Sequence, residues 1–248
     1  MRRWLKIDLH IHSALSPCAL PEMTPNNIVN MAQVLGLDVI AVTDHHAAEN
    51  VAPVYNLARR KGIICIPGIE VQSKEEVHLL CYFAALEPLL DFSNHILTLL
   101  NQQLTIEAGV GQQLIFDEED RVIGERKPYL HQSIPLSIEE IWYLAEKYEA
   151  CCLPAHLDRP AFGLLGQLGF IPPGLPVQTV EVTLSRAAEL AQGGKYGAVI
   201  TASDAHSLEQ MVTPGHTYLH PSLNSVDSIW HWLKKPEQQL VKTFKSDL

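Results

Sequence analysis

The sequence lacks any long hydrophobic run and any paired-cysteine motif. No apolar stretch approaches the roughly 18 residues that a membrane span needs, and residues 1–4 lead into a predicted strand without the apolar region of a signal peptide. The five cysteines form no C-x-x-C pair, and all except Cys18 lie in apolar strand-like runs, where a free cysteine behaves as a small hydrophobic residue. We therefore expect a soluble, cytoplasmic protein with reduced cysteines and no membrane partner.

Positive charge is also scarce. The chain has 18 Lys and Arg against 28 Asp and Glu, a net charge of −10. Strong nucleic-acid binding is not expected, because it depends on Lys and Arg neutralising phosphates. A small anionic substrate remains compatible, since bound metal ions can reverse the local field. The length of 248 residues and the 47% of hydrophobic residues fit one α/β domain as large as a barrel.

Strand-like and helical patterns alternate along the first part of the chain. Buried-strand patterns at 38–43 and 63–69 follow the N-terminal strand, with helical patterns between them at 25–35 and 49–61. This order with short loops is typical of right-handed βαβ units and a parallel sheet. A further strand is predicted at 77–83.

The segment 87–135 breaks this rhythm. It contains a predicted helix at 89–104, a glycine-containing loop, and a predicted hairpin around the acidic turn 117–120. We interpret the segment as an insertion over the mouth of the main domain, although a long crossover helix with its loops is an alternative. After it come helices at 137–150, 162–168, 185–192 and 226–234, strands at 151–155, 177–183, 198–202 and 217–219, and a polar tail.

Two histidines stand close to the N-terminus in the stretch Ile7-Asp8-Leu9-His10-Ile11-His12-Ser13. Side chains of a strand alternate between its faces, so His10 and His12 point the same way, about 7 Å apart. Such a pair suits one metal ion, but alone it is equally compatible with two incidentally exposed histidines.

More residues of the metal-ligand type follow at strand ends, with His78 at a strand start: Asp44-His45, Glu70, His78, His156 and Asp204-x-His206. The carboxyl ends of strands in barrels and open sheets converge on one face, where sites are built. Histidine nitrogen mixed with carboxylate oxygen indicates Zn, Mn or Fe rather than Ca or Mg. The set exceeds what one tetrahedral ion needs. We expect two or three divalent ions that share Glu70 and generate a hydroxide that attacks phosphorus.

The motifs in their order resemble those of the PHP (polymerase and histidinol phosphatase) family. They are Asp8-Leu9-His10-Ile11-His12-Ser13, Thr43-Asp44-His45, Gly68-Ile69-Glu70, Val77-His78-Leu79-Leu80, Ala155-His156 and Ser203-Asp204-Ala205-His206. The resemblance covers roughly residues 5–220. It implies an α/β fold, a distorted (β/α)7 TIM-like barrel with a trinuclear metal site and phosphoester hydrolysis. We expect a single PHP domain over 1–248, with 87–135 as its inserted cap.

The resemblance also implies a ligand set. His10, His12, Glu70 and Asp204 would hold the first ion, Glu70, His78 and His156 the second, and His45 and His206 the third. The family usually places an Asp or His six or seven residues after the second histidine of H-x-H, where this chain has Ser16-Pro17-Cys18. Cys18 is either a thiolate ligand, which would favour Zn or Fe, or a plain loop cysteine that leaves the third site weak or empty.

Two further residues are candidates for catalytic roles. Arg159, three residues past His156, is suited to bind a phosphate through two hydrogen bonds, and its alternative is a surface salt bridge. Asp44 precedes His45 and is better suited to orient ligands than to be one. Three other histidines near the motifs are expected to be solvated or structural: His46, His131 and His216.

The predicted function is a metal-dependent phosphoesterase acting on a small phosphorylated metabolite or a nucleotide end, with histidinol-phosphate phosphatase as an alternative. An amidohydrolase also uses H-x-H, but it generally has a solitary Asp on the last strand and often a carboxylated Lys, whereas this chain has Asp204-x-His206 and no Lys at the ends of strands three to five. A non-catalytic PHP module is the other alternative. The sequence leaves the substrate, the metal and the oligomeric state open.

Overall fold

A computed structural model describes residues 3–104, 111–213 and 215–245 of the chain. The described residues form a mixed α/β fold with seven α-helices and twelve strands. The helices are α1 (Pro25–Val34), α2 (Val51–Arg60), α3 (Leu86–Leu99), α4 (Ile138–Lys147), α5 (Leu164–Leu168), α6 (Leu184–Gln192) and α7 (Val226–Lys234). The strands are β1 (Leu5–Ile11), β2 (Val39–Val42), β3 (Ile64–Cys65), β4 (Gly68–Gln72), β5 (His78–Tyr82), β6 (Leu114–Phe116), β7 (Val122–Glu125), β8 (Cys151–Pro154), β9 (Thr179–Glu181), β10 (Ala198–Ile200), β11 (Gly215–Leu219) and β12 (Val241–Lys245).

The largest sheet contains five strands in the order β12-β11-β1-β2-β3. Its β1, β2 and β3 are parallel, which confirms the βαβ prediction for the first part of the chain. The prediction of a polar tail was wrong, because β12 pairs with β11 in antiparallel register from Gly215↔Lys245 to Leu219↔Val241. The tail thereby satisfies backbone groups along β11 that would otherwise lie at a sheet edge.

A second sheet, β4-β5-β8, has antiparallel pairing throughout, so the parallel pattern is interrupted at β5. The reason lies in the short connection from β4 to β5. A tight turn closes there, in which the Ser73 amide donates to the Val77 carbonyl at 2.9 Å and Glu76 has a φ of +59°. Antiparallel strands can be joined by such a turn, whereas parallel strands need a long crossover.

The ladders of the described residues form four sheets, and they do not make one continuous closed barrel. The parallel pair β9-β10 and the hairpin β6-β7 are the other two sheets. Isolated bridges connect the sheets at the ends of their strands, at Ile11↔Ala205 and at His45↔Glu70. The Leu157 amide also donates to the Glu181 carbonyl at 2.8 Å, which links the end of β8 to β9. These links bring the strand ends that carry the candidate ligands together.

Local sequence signals account for several of the helices. Thr24 caps α1 with Pro25 in its first turn, and Ser137 and Glu140 form a capping box at the start of α4, as predicted. Helix α3 covers Leu86–Leu99, so it begins and ends earlier in the chain than the predicted helix at 89–104. No helix in the described part of the chain is long and apolar enough to cross a bilayer.

The segment between α3 and α4 contains the predicted hairpin, formed by β6 and β7. The predicted glycine-containing loop falls largely on residues 105–110, outside the described residues. The hairpin turn is anchored to the start of α1, because Asp120 accepts hydrogen bonds from the Thr24 hydroxyl at 2.7 Å and the Asn26 amide at 3.0 Å. The segment is therefore fastened beside the loop that follows β1.

Candidate metal centre

A single buried carboxylate, Glu70 on β4, lies at the centre of the candidate site. It is 1% exposed, and five imidazoles surround it. Their nitrogens lie at the following distances from its carboxylate oxygens: His78 Nδ1 3.0 Å, His45 Nδ1 3.1 Å, His10 Nε2 3.3 Å, His12 Nε2 3.4 Å and His156 Nε2 3.6 Å. The predicted bridging residue is thus within reach of ligands from four strands or strand ends.

The backbone geometry at the strand ends turns these side chains inwards. His10 and His12 share one face of β1, and the ring centroids lie 5.1 Å apart. His156 and Asp204, which follow β8 and β10, both have positive φ, +27° and +50°. Such φ values are uncommon for residues other than glycine and are found where surrounding structure holds them, often at functional sites.

The carboxylate of Asp204 also contacts His10 and His12. Its Oδ1 is 3.2 Å from both His10 Nε2 and His12 Nε2. The guanidinium of Arg159 donates to the Oδ2 of the same carboxylate, and its side chain is 42% exposed at the rim of the site. Arg159 therefore lies next to the cluster, and its partner in this structure is a candidate ligand rather than a phosphate.

The outer part of the site contains Cys18, His45, His131 and His206. The rings of His12 and His206 stack with centroids 4.2 Å apart, and those of His45 and His131 stack at 4.5 Å with only 6° between their planes. The ligand atoms of Cys18, His45 and His131 lie within 4.8 Å of one another. His131 was expected to be solvated or structural, but the structure places it against the candidate ligands.

Glu181, at the end of β9, was missed by the sequence analysis. Its carboxylate lies 3.1 Å from His10 Nδ1 and accepts a hydrogen bond from the His156 amide at 3.1 Å. A carboxylate on the second nitrogen of a ligating imidazole fixes its tautomer and orientation. The available signal was a lone acidic residue between Val180 and Val182 in the predicted strand 177–183.

Asp44 organises the loop after β1 through hydrogen bonds with the serines of that loop. It accepts hydrogen bonds from the Ser13 amide at 2.8 Å, the Ser13 hydroxyl at 2.6 Å and the Ser16 hydroxyl at 2.6 Å. The Ser16 oxygen also lies 2.9 Å from His12 Nδ1. This chain of contacts agrees with the expectation that Asp44 orients ligands. His46 is buried, and its Nε2 lies 2.7 Å from the Gln132 carbonyl.

Burial and the nearby charges shift the pKa values of these groups in opposite directions. Burial favours the neutral form of Glu70, but His78, His10 and His45 hold the pKa of its carboxyl well below the usual value. Burial lowers the pKa of both His45 and His78 despite their contact with Glu70. Asp204, Glu181 and Glu70 instead hold the pKa of His10 well above its usual value, although burial favours its neutral form. A metal ion requires ionised carboxylates and neutral imidazoles as ligands, so a bound ion would displace the proton of His10.

Desolvation and the nearby carboxylate of Glu70 raise the pKa of the Cys18 thiol, although the residue as a whole is exposed. Without an ion, Cys18 is therefore a protonated thiol at neutral pH. A bound cation would have to displace that proton.

Several buried polar atoms of the cluster have no hydrogen-bond partner of acceptable geometry. They include both carboxylate oxygens of Glu70, Nδ1 of His45 and Nδ1 of His156. Buried polar atoms are normally satisfied, and the ligand atoms of His10, His12 and Glu70, like those of His45, Glu70 and His78, lie within 4.8 Å of one another. Unsatisfied oxygen and nitrogen donors in this arrangement fit divalent transition-metal ions.

The cluster opens into a cavity of about 190 Å³ that reaches Arg159 and Phe162. A wider groove of about 510 Å³ continues from it and shares Arg159, Asp204 and His206 with the site. Its remaining lining is mostly neutral and includes the hydroxyl residues Thr183, Thr201 and Ser203. There is room beside the cluster for a group attached to a phosphate.

A family model for the PHP domain matches residues 8–171 of the chain. Since the match covers more than half of the sequence, the chain belongs to the PHP family. No curated protein matches the sequence significantly.

Solved structures with the same fold include two DNA-cleaving enzymes. The lesion-specific endonuclease PfuEndoQ from Pyrococcus furiosus is 19% identical, with a TM-score of 0.69 over 94% of this chain and 56% of that one. An endonuclease Q in complex with a 27-mer duplex containing an abasic lesion is 19% identical, with a TM-score of 0.66 over 94% of this chain and 57% of that one. This chain thus spans little more than half the length of either endonuclease.

A third similar structure is a two-domain protein from Bacteroides vulgatus that contains a predicted PHP-like metal-dependent phosphoesterase. It is 17% identical, with a TM-score of 0.56 over 98% of this chain and 65% of that one. At these identities the three structures support the fold alone.

Proposed function

We propose that this chain is a metal-dependent phosphoesterase that hydrolyses a phosphomonoester or a nucleotide phosphate. The observation that carries the proposal is the buried carboxylate of Glu70, which five imidazoles approach within 3.0–3.6 Å while its oxygens lack hydrogen-bond partners. Burying such a group is costly unless it is paired or coordinated. Two or three ions of Zn, Mn or Fe would account for the whole arrangement.

The residues of the site would have different roles. His10, His12, Glu70 and Asp204 would hold one ion, Glu70, His78 and His156 a second, and His45 and His206 would contribute to a third. Bound divalent ions would supply an activated water and would withdraw charge from the phosphoryl oxygens. Glu181 and Asp44 would hold the imidazoles in position, and Arg159 would bind a phosphoryl oxygen once an ion competes for Asp204.

The fold assigned to this function is a single distorted seven-stranded barrel over 1–248. Support comes from the succession of ladders, bridges and single hydrogen bonds that runs from β1 through β2, β4, β5, β8, β9 and β10 back to β1. Under this interpretation, 87–135 is an insertion at the mouth of the barrel. The contact of His131 with the cluster supports that assignment.

A small phosphorylated compound is the substrate that we favour. Arg159 is the one Lys or Arg among the described residues that line the groove next to the cluster, and the net charge of −10 disfavours capture of duplex DNA. A phosphodiester in damaged DNA is the second candidate, because the fold similarity to the two endonucleases covers 94% of this chain.

Metal analysis combined with a substrate screen tests the proposal. We expect two or three ions per chain and release of inorganic phosphate from at least one member of a panel of nucleotides, sugar phosphates and histidinol phosphate. Cleavage of a duplex with an abasic site, without phosphate release from the panel, would favour the second candidate.

His10→Ala should abolish turnover and leave the fold intact, since it removes a ligand and little core packing. Full activity of that variant, or a metal-loaded protein inert toward every phosphoester, would refute the proposal. An inert, metal-loaded protein would favour an amidohydrolase or a non-catalytic module. Against an amidohydrolase, no lysine lies among the described residues that line the cavity.

A further inference from the structure

We infer that His131, contributed by the segment between α3 and α4, is a ligand of the third ion together with Cys18 and His45. The inference rests on the proposed function, because it concerns an ion of the same cluster. The resemblance to PHP proteins in the motifs supplies no counterpart for His131, which lies outside every motif. The third site would then depend on the inserted segment.

The geometry of the three side chains supports the assignment. The sulfur of Cys18 and a ring nitrogen each of His45 and His131 lie within 4.8 Å of one another. Small movements would bring such atoms to the usual 2.0–2.3 Å from a zinc ion. The Nε2 of His131 is buried and has no hydrogen-bond partner, so this imidazole has an unsatisfied nitrogen beside two other ligand-type residues.

The backbone on both sides of His131 is fixed to the site. The Leu130 amide donates to the side chain of Gln113 at 2.7 Å. The Gln132 carbonyl lies 2.7 Å from the ring nitrogen of His46, and the Ile134 amide donates to the Gln72 carbonyl at 3.1 Å. Gln72 is two residues beyond Glu70 on β4. His131 is therefore positioned by contacts with the strand that carries Glu70 and with the residue after His45.

The same segment also contacts the loop that carries Cys18. The Leu114 amide donates to the Ala14 carbonyl at 2.8 Å. Gly111 packs so closely that a Cβ at this position would lie 2.3 Å from the Pro17 carbonyl oxygen. The segment thus sets the position of both Cys18 and His131 relative to His45.

The chemistry of this donor set differs from that of the other two sites. One sulfur with the imidazole nitrogens of His45, His131 and His206 is a softer set than the carboxylate-rich surroundings of His10 and Asp204, and it selects Zn, Fe or Co over Mn. A thiolate ligand also produces a charge-transfer absorption when the ion is Co²⁺, which makes the site observable without any substrate.

The test compares metal binding in the wild-type chain with four variants, His131→Ala, His131→Gln, Cys18→Ser and the control His95→Ala. His95 lies on α3, where its ring contacts Tyr148 3.0 Å away, outside the cluster. Each protein is loaded with Co²⁺, freed of excess metal, and analysed for metal content and near-ultraviolet absorption. Circular dichroism checks that each variant is folded. If His131→Ala does not fold, the comparison uses His131→Gln in its place.

We expect the wild type and His95→Ala to retain three ions with a thiolate band, and the His131 and Cys18 variants to retain two. The Cys18 variant should lose the band completely, and the His131 variants should lose most of it. Folded His131 variants that retain three ions and the wild-type band would overturn the inference alone, as would a wild type with two ions. A wild type that binds no ion would overturn the inference and the proposed function together.

Discussion

The inner and outer parts of the candidate metal centre are built in different ways. The inner part consists of Glu70, His10, His12, His156 and Asp204, all buried or nearly so and carried by strands or the residues that follow them. The outer part consists of Cys18, His45, His131 and His206, which come from loops and which, apart from the buried His45, are more exposed. Because strands fix side-chain direction and loops vary, we infer that the inner part provides the chemistry and the outer part decides how many ions are held.

The largest effect is expected from Glu70→Gln, which removes the shared negative charge of the inner part. Ions at a reaction centre contribute several kcal/mol, so turnover should fall by roughly 10³-fold or more. Steady-state kinetics and metal analysis measure the change, with the exposed Glu76→Gln as the control. Near-normal turnover with full metal content would mean that Glu70 does not bridge the ions.

Removing the ions should lower stability less than it lowers activity. An ion present at 100 times its Kd contributes about 2.7 kcal/mol, so a chelator should lower the Tm of this chain by about 5–10 °C. Calorimetry with and without chelator checks this, and added Zn²⁺ should restore the Tm. The Glu70→Gln variant should not respond to the chelator. A wild-type Tm that stays constant after verified metal loss would contradict the expectation that ions bound by the inner part stabilise the folded chain.

Glu181→Gln tests whether the inner part depends on residues that contact the candidate ligands and hold them in position. The substitution removes the charge next to His10 Nδ1 and should reduce metal affinity or activity by about 10–100-fold. Competition with a chelating dye measures the affinity, and Glu189→Gln on α6 is a matched control whose side chain pairs with Arg186. Equal affinities of the two variants would show that Glu181 has no positioning role.

Ser16→Ala should have the smallest effect, about tenfold in turnover. Ser16 lies between the two parts of the centre, since its oxygen lies 2.9 Å from Nδ1 of His12 and accepts a hydrogen bond from the His45 amide. Its loss should leave the fold unchanged, and Ser222→Ala at the surface is the control. A loss of turnover as large as that caused by Glu70→Gln would mean that the inner and outer parts do not have separate roles.

Much of the fold's local structure could be predicted from the sequence. The capped starts of α1 and α4, the parallel β1-β2-β3 arrangement and the acidic hairpin all follow from patterns within a few residues. The membership in the PHP family could also be predicted, because its motifs are short and ordered along the chain. The reversed direction of β5 and the pairing of β12 could not, since pairing depends on which strands meet in space.

The sequence by itself determined which residues of the metal-ligand type lie in or next to the predicted strands, because strand periodicity and residue type are local properties. Only the tertiary structure decided that five imidazoles surround Glu70, that Glu181 supports His10, and that Arg159 pairs with Asp204. It also brought His131 to Cys18 and His45. The physical reason is that these contacts join residues far apart in the chain, and their geometry exists only once strands and loops pack together.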